Sequence, residues 1–347
     1  MTDFKGAPAA PTTPPEPTPA LPVGGAVPGL AFRLYAGETD LAELVRVWTA
    51  AREADGLKAT LTVEDLALDF ANPVNFDPSR DVLIAAVGGR MVAYGRVEWV
   101  DTNDGARSYD SRCMVEPGWR RRGIGRSMLR WNEARLREIA ATHPTDRPRR
   151  FGTYHWDRDT AAAKIYAAEG YRPVRHFYDM LRPTLDDIPE APLPDGLEIR
   201  PVRPQHVRAV WDADVEAFRD HWGGFEDSPE AYRQFTEGRT FDPSIWKVAW
   251  DGDRIAGLVM NVIDPQENEV RGYRRGLLDS VAVRRPWRRR GLARSLIVAS
   301  LRELRERGMT SAALGVDAQN PLGALQLYTS VGFEVELSAT AYEKPLE

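Results

Sequence analysis

The chain runs twice through the same order of short apolar runs with strand period and longer apolar stripes with helical period. Ala31–Tyr35 (AFRLY) and Leu197–Val202 (LEIRPV) each read as a first strand, followed by helical segments at Leu41–Ala54 and Gln205–Ala217. Paired apolar runs come next: Val82–Val87 and Met91–Trp99 around Gly88-Gly89-Arg90, then Trp246–Trp250 and Arg254–Ile263 around Asp251-Gly252-Asp253. Turn residues between such runs predict hairpins. A further apolar run in each half, Cys113–Val115 and Val281–Val283, leads into a helical stripe. Ile124, Met128, Asn132, Leu136 and Ile139 share one face in the first half, with Leu129 beside them and Asn132 as the polar exception. Leu292, Leu296, Ala299 and Leu304 do so in the second, which Gly308 closes. Phe151–Trp156 with Thr160–Glu169, and Ser311–Val316 with Pro321–Val331, end each half as strand and helix.

The offset between the two series is nearly constant, the mark of an internal repeat. It predicts an α/β fold of two tandem domains at 30–182 and 196–347, each a mixed, mostly antiparallel sheet flanked by helices. Residues 1–29, dominated by Pro, Ala, Thr and Gly, have little to bury and read as a disordered or polyproline-like tail. The Pro- and acid-rich stretch 183–195 reads as an interdomain linker.

Composition narrows the classes. A length of 347 residues with 43% hydrophobic content suits two ordinary domains. The formal charge of −5 argues against a general nucleic-acid binder, although arginine clusters locally. Cys113 is the only cysteine, which rules out an internal disulfide and a cysteine-based zinc site. It sits on a strand expected to be buried, a poor place for a nucleophile. No apolar run approaches the roughly 20 residues that span a bilayer, and no basic segment precedes an apolar stretch at the N-terminus. The expectation is a cytoplasmic protein with no metal, membrane or nucleic-acid partner.

Two strings carry the chemistry: Trp119-Arg120-Arg121-Arg122-Gly123-Ile124-Gly125 and Trp287-Arg288-Arg289-Arg290-Gly291-Leu292-Ala293. A strand that turns through Arg-x-x-Gly-x-Gly/Ala into a helix aims several backbone N–H groups at one point, where the helix dipole also favours an anion. Glycine there leaves room for a phosphate to approach the backbone. Two copies in matched context point to a duplicated phosphate-ligand domain.

With these strings the chain resembles the GNAT superfamily of N-acetyltransferases as a tandem pair, whose acyl-CoA pyrophosphate loop has this pattern. A second signature is similar too: Asn320, Ala324, Leu327-Tyr328 and Gly332-Phe333 in the second half, answered by Ala162, Ile165-Tyr166 and Gly170-Tyr171 in the first. The tandem layout and the Thr340-Ala341-Tyr342 ending are more loosely similar to the mycothiol synthases and their relatives.

The resemblance implies acetyl-CoA as co-substrate and a small-molecule amine as acceptor. It implies that Arg288, Arg289, Gly291, Leu292, Ala293 and Arg294 hold the pyrophosphate, that the main chain of Val281, Ala282 and Val283 pairs with the pantetheine arm, and that Asn320 belongs to the same site. In the first half the matching positions are Met114, Val115, Arg120, Gly123, Ile124, Gly125 and Arg126. Tyr328 matches the proton donor to the leaving thiolate, or else packs its ring on the sheet. A base is needed because an alkyl amine, with a pKa of roughly 10, is protonated at neutral pH. Asp279, two residues before Val281 on the same strand face, is the first choice, ahead of Glu269 and Asp264. His221 and Trp222, with Phe225, stand where the family builds one wall of the acceptor site.

The second half matches better. Arg158 stands where the second half has Asn320, and Gly123 and Tyr166 are 43 positions apart against 37 for Gly291 and Tyr328. The second half is therefore the expected catalytic domain, and the first a second site, a scaffold or a CoA holder. A binding-only sensor, and acetylation of a thiol-precursor amine, stand as alternatives. The chain is expected as a monomer or homodimer.

Overall fold

In the first half of the computed structural model, β1 (Leu30–Leu34) leads into α1 (Leu41–Ala54), α2 (Val63–Ala71) and α3 (Pro78–Asp81). Then follow β2 (Val82–Val87), β3 (Arg90–Asp101), β4 (Arg107–Val115), α4 (Ile124–Thr142), β5 (Arg149–Trp156), α5 (Thr160–Ala168) and β6 (Arg172–Arg182). The second half repeats the order: β7 (Glu198–Arg200), α6 (Val207–Phe218), α7 (Pro229–Glu237), β8 (Lys247–Asp251), β9 (Arg254–Ile263), α8 (Pro265–Arg271), β10 (Arg275–Val283), α9 (Leu292–Glu306), β11 (Ser311–Asp317), α10 (Ala324–Thr329) and β12 (Glu334–Pro345). The structure describes residues 19–22, 27–57, 60–320 and 322–347, so most of the expected tail lies outside the described residues.

The helical stripes form as their period requires. Ile124, Met128, Leu129, Leu136 and Ile139 are buried, as are Leu292, Leu296 and Leu304. Burying each such side chain contributes about 1.5–3 kcal/mol. Asn132 is fully buried too, its amide 3.4 Å from the Cys113 sulfur, under a Gly95 that leaves it room. Burial pushes the Cys113 thiol up to about 12, so it is an inert packing residue.

The strands form one twelve-stranded sheet, not one sheet per half. The order is β1-β2-β3-β4-β5-β12-β6-β11-β10-β9-β8-β7. Among the described strands only β4/β5 and β10/β11 pair in parallel, and both pairings stop early, at Asp110/Gly152 and Leu277/Ala313. Beyond those points the partners leave a gap in the ladder. Each half was expected to end on a helix, yet each adds a last strand and exchanges it. β12 pairs with β5 and β6, while β6 pairs with β11 and β12. The exchange covers the edges that β5 and β11 would otherwise expose.

The stretch 183–195 is packed along its length. Leu185 is buried beneath α9, with Ile188, Ala191 and Leu193 against the same core. Ser295 Oγ donates to the Pro192 carbonyl at 2.6 Å.

Candidate active site

Both Arg-x-x-Gly loops adopt one backbone shape. Arg289 and Gly291 have φ of 61° and 86°, and Arg121 and Gly123 have 61° and 85°. These are left-handed values that favour glycine. Gly291 and Gly123 cap α9 and α4, and no atom lies within 4 Å of where a Cβ would project at either one. The first-turn amides of each helix lack intrahelical acceptors and face this open space, the arrangement that binds an anion.

The arginines divide between bracing and facing solvent. Arg288 turns inward, donating from Nε to the Val283 carbonyl at 2.9 Å and from Nη1 to Asp220 at 2.6 Å. Arg120 repeats this with the Val115 carbonyl at 3.2 Å and Asp55 at 2.6 Å. Each therefore fixes its loop to the C-terminal end of the first α-helix of its half, α6 or α1. Arg289 is exposed at the cavity rim. Arg294 donates to Ser330 Oγ at 2.6 Å, whereas Arg126 is paired with Glu169 at 3.0 Å. Met114 and Val115 pack into the first half's core, Ile124 is buried, and a Cβ on Gly125 would stand 3.7 Å from Ile165 and Val115.

A cavity of about 730 Å³ gathers most of the second-half residues singled out above. It is lined by Val281–Val283, Arg288, Arg289, Gly291–Arg294, Asn320 and Tyr328, and reaches Asp279, His221, Trp222 and Phe225. Asn320 acts through local structure: its side chain accepts the Leu322 amide at 2.8 Å and shapes the turn before α10. Tyr328 is 7% exposed, with no hydrogen bond from its hydroxyl among the described residues. Burial holds its phenol up to about 12, so it is protonated at neutral pH.

Asp279 is the extra residue of a β-bulge, since Leu278 pairs with Asn261 and Ser280 with Met260. Bulges re-aim side chains beside active sites. Its carboxyl is accessible from the cavity but hemmed in on most sides, and desolvation raises its pKa. The two rival bases are placed otherwise. Asp264 caps α8 and is ion-paired with Arg239, and Glu269 lies exposed on α8 outside this cavity.

The segment 221–225 rests on the first half. The His221 ring stacks on Phe218 at 4.2 Å, and Trp222 meets Phe177 of β6 at 5.7 Å. Burial lowers the His221 pKa. The Gly223 carbonyl accepts the Asn103 amide at 2.7 Å, and a Cβ on Gly224 would come within 2.3 Å of the Asp101 carbonyl.

Sequence reading missed the four first-half residues here: Tyr154 on β5, and Phe177, Tyr178 and Asp179 on β6, all lining the second-half cavity. No local signal could have found them, because the strand exchange alone brings them in. Among the described residues no group of His, Cys, Asp and Glu is placed to hold a metal ion, and no helix is long and apolar enough to cross a membrane.

This geometry, an anion-binding loop feeding a gap between parallel strands with a tyrosine at its side, is that of acyl-CoA-dependent N-acetyltransferases, and comparison with known proteins agrees. The model of the acetyltransferase (GNAT) family matches residues 207–333, and that of the acetyltransferase (GNAT) domain matches 78–173. The first match stops short of β12, the second just inside β6. A mycothiol acetyltransferase of Geodermatophilus obscurus is 30% identical over 297 residues, 84% of this chain and 90% of that protein. A GCN5-related N-acetyltransferase from Sphaerobacter thermophilus has TM-score 0.69 at 26% identity, over 94% of this chain and 97% of that one. A tandem GNAT protein from the clavulanic acid biosynthesis pathway shares the fold, with TM-score 0.62 at 18% identity over 91% and 98%. The chain belongs to the GNAT family of N-acetyltransferases, in its tandem form.

Proposed function

We propose that the second half transfers the acetyl group of acetyl-CoA to the amine of a small molecule, with the first half as its structural partner. One observation carries the reading: the amides of Gly291–Arg294, the strand Val281–Val283, Tyr328 and Asp279 all line one cavity. The loop amides hold the pyrophosphate, and the pantetheine arm adds to the free edge that β10 presents beyond Leu277. A backbone N–H of that edge stabilises the oxyanion as the amine attacks the thioester. Tyr328, held protonated by its buried setting, shares its proton with the departing thiolate. Asp279 accepts a proton from the amine.

The acceptor to test first is suggested by relatives named mycothiol acetyltransferases: the des-acetyl form of mycothiol, followed by polyamines, aminoglycosides and amino acids. The assay is CoA release with each amine, run beside acetyl-CoA titration by calorimetry. Turnover that Tyr328→Phe removes while acetyl-CoA affinity stays the same supports the proposal. Acetyl-CoA binding without turnover of any amine would replace it with an acyl-CoA sensor.

A further inference from the structure

We propose that Asp179, carried into the second half's site by the exchanged strand β6, is a second carboxylate for the acceptor: it holds the ammonium form opposite Asp279 and takes the proton that must leave before nitrogen attacks. This rests on the acyl-transfer reading above.

A second cavity of about 640 Å³ meets the first where Asp179, Asp279 and Gly315 line both. Gly315 of β11 pairs directly with Asp179, and a Cβ at 315 would stand 3.8 Å from Asp179 Oδ1. The absence of a side chain there keeps the passage open in front of the carboxylate. The other charged groups around the second cavity are mostly engaged with one another. Arg239 binds Asp65 and Asp264, Glu267 accepts from Tyr273 and from the Thr60 amide, and Arg275 pairs with Glu336 at 3.3 Å. The carboxyl groups of Asp179 and Asp279 have no hydrogen bond or ion pair among the described residues. They are therefore the carboxylates free to receive a cation where the two cavities join.

The groups facing Asp179 come from several elements: Arg52 of α1, Tyr154 of β5, Arg275 of β10 and Glu336 of β12. Desolvation outweighs the two arginines and raises the Asp179 carboxyl to about 6, suited to accepting a proton near neutrality. The step balances. The ammonium gives one proton to Asp179 and the nitrogen attacks the thioester carbon. The tetrahedral adduct gives a second proton to Asp279, the C–S bond breaks, and the thiolate takes the Tyr328 proton. One carboxyl proton restores Tyr328 and the other leaves to solvent.

The test compares wild type, Asp179→Asn and Asp279→Asn in CoA-release assays with des-acetyl mycothiol, spermidine and glucosamine across pH 5–9. Asp179→Asn is expected to lower kcat/KM for the amine about a hundredfold and to abolish the acid limb near pH 6, with acetyl-CoA affinity and Tm unchanged. A wild-type pH profile and kcat/KM in Asp179→Asn, or a parallel loss of acetyl-CoA affinity, would overturn the assignment. If wild type acetylates no amine, the acyl-transfer reading fails separately. Asp179 is then judged by its ¹³C-carboxyl NMR signal in the CoA-bound protein titrated with n-propylammonium. A shift at Asp179 and Asp279 together upholds the shared cation site; an unmoved Asp179 signal refutes it.

Discussion

The two Arg-x-x-Gly loops share their backbone angles, whereas the strand gaps beneath them are floored by different side chains. In the second half the strand gap is floored by Gly315 beside Asp179, with Asp279 on β10. Thr153, which stands as far before Tyr166 as Gly315 stands before Tyr328, is one residue past the last parallel pair of the first half, and its hydroxyl donates to the Ser111 carbonyl at 2.8 Å, bridging the gap. Thr153 pairs with Tyr342, where Gly315 pairs with Asp179. Tyr166, the counterpart of Tyr328, is closed into a ring cluster with His155, Tyr171 and Tyr342. Near the helix start the first half places Glu169 on Arg126, where the second has Ser330 on Arg294. The loop and the floor beneath it are thus separable features of one fold: the loop is local and repeats, while the floor depends on what arrives from distant strands.

The sharpest break of the comparison is Tyr328→Phe against Tyr166→Phe. The first is expected to lower kcat by about 10²–10⁴-fold and the second to leave it within about twofold, read as CoA release. Gly291→Glu should weaken acetyl-CoA binding by about a hundredfold in calorimetry, since left-handed strain of roughly 1–2 kcal/mol and repulsion of the pyrophosphate act together. Gly123→Glu should spare that site. Gly315→Thr would copy the first half's floor into the second; the site of its Cβ has only ordinary contact with Asp179, so the fold should hold while turnover falls about tenfold or more.

The smallest effect on activity is expected from Asp214→Asn, whose readout is stability. Asp214, the eighth residue of α6, is buried and accepts from Ser280 Oγ, while the eighth residue of α1 is Trp48. Desolvation raises the Asp214 carboxyl to about 7 in the folded protein. The unfolded chain releases that proton near pH 3.9, so the folded state binds more protons between these values. Stability is fully present below about pH 4 and falls as pH rises towards 7, by on the order of 4 kcal/mol. Asp214→Asn should flatten that slope in urea unfolding at pH 5 and pH 8. An unchanged slope would mean the buried carboxyl does not titrate as stated.

The paired strings, the helical stripes, the hairpins and the place of Tyr328 were legible because each is written within a few turns of chain. Period, glycine position and capping act between near neighbours, and α1, β2 and β9 begin and end where the pattern places them. The role of Arg288 was less legible: its spacing suggests a phosphate ligand, but only the packed structure shows Asp220 and the Val283 carbonyl taking its donors. The last strands escaped notice as well. β6 (RPVRHFYDMLR) mixes charge, proline and aromatics without a clean alternation; it pairs between two strands of the opposite half, and only Met180 and Arg182 along it are buried.

By itself, then, the sequence determined a twice-repeated α/β unit with two anion-binding turns and a tyrosine beside the second. Tertiary structure alone decided that the halves share one sheet, that a Thr153–Ser111 hydrogen bond bridges the first half's gap, and that Asp179 lines the second half's cavity. Pairing between strands more than a hundred residues apart is set by which free edge each strand finds during packing, and no local pattern encodes that choice.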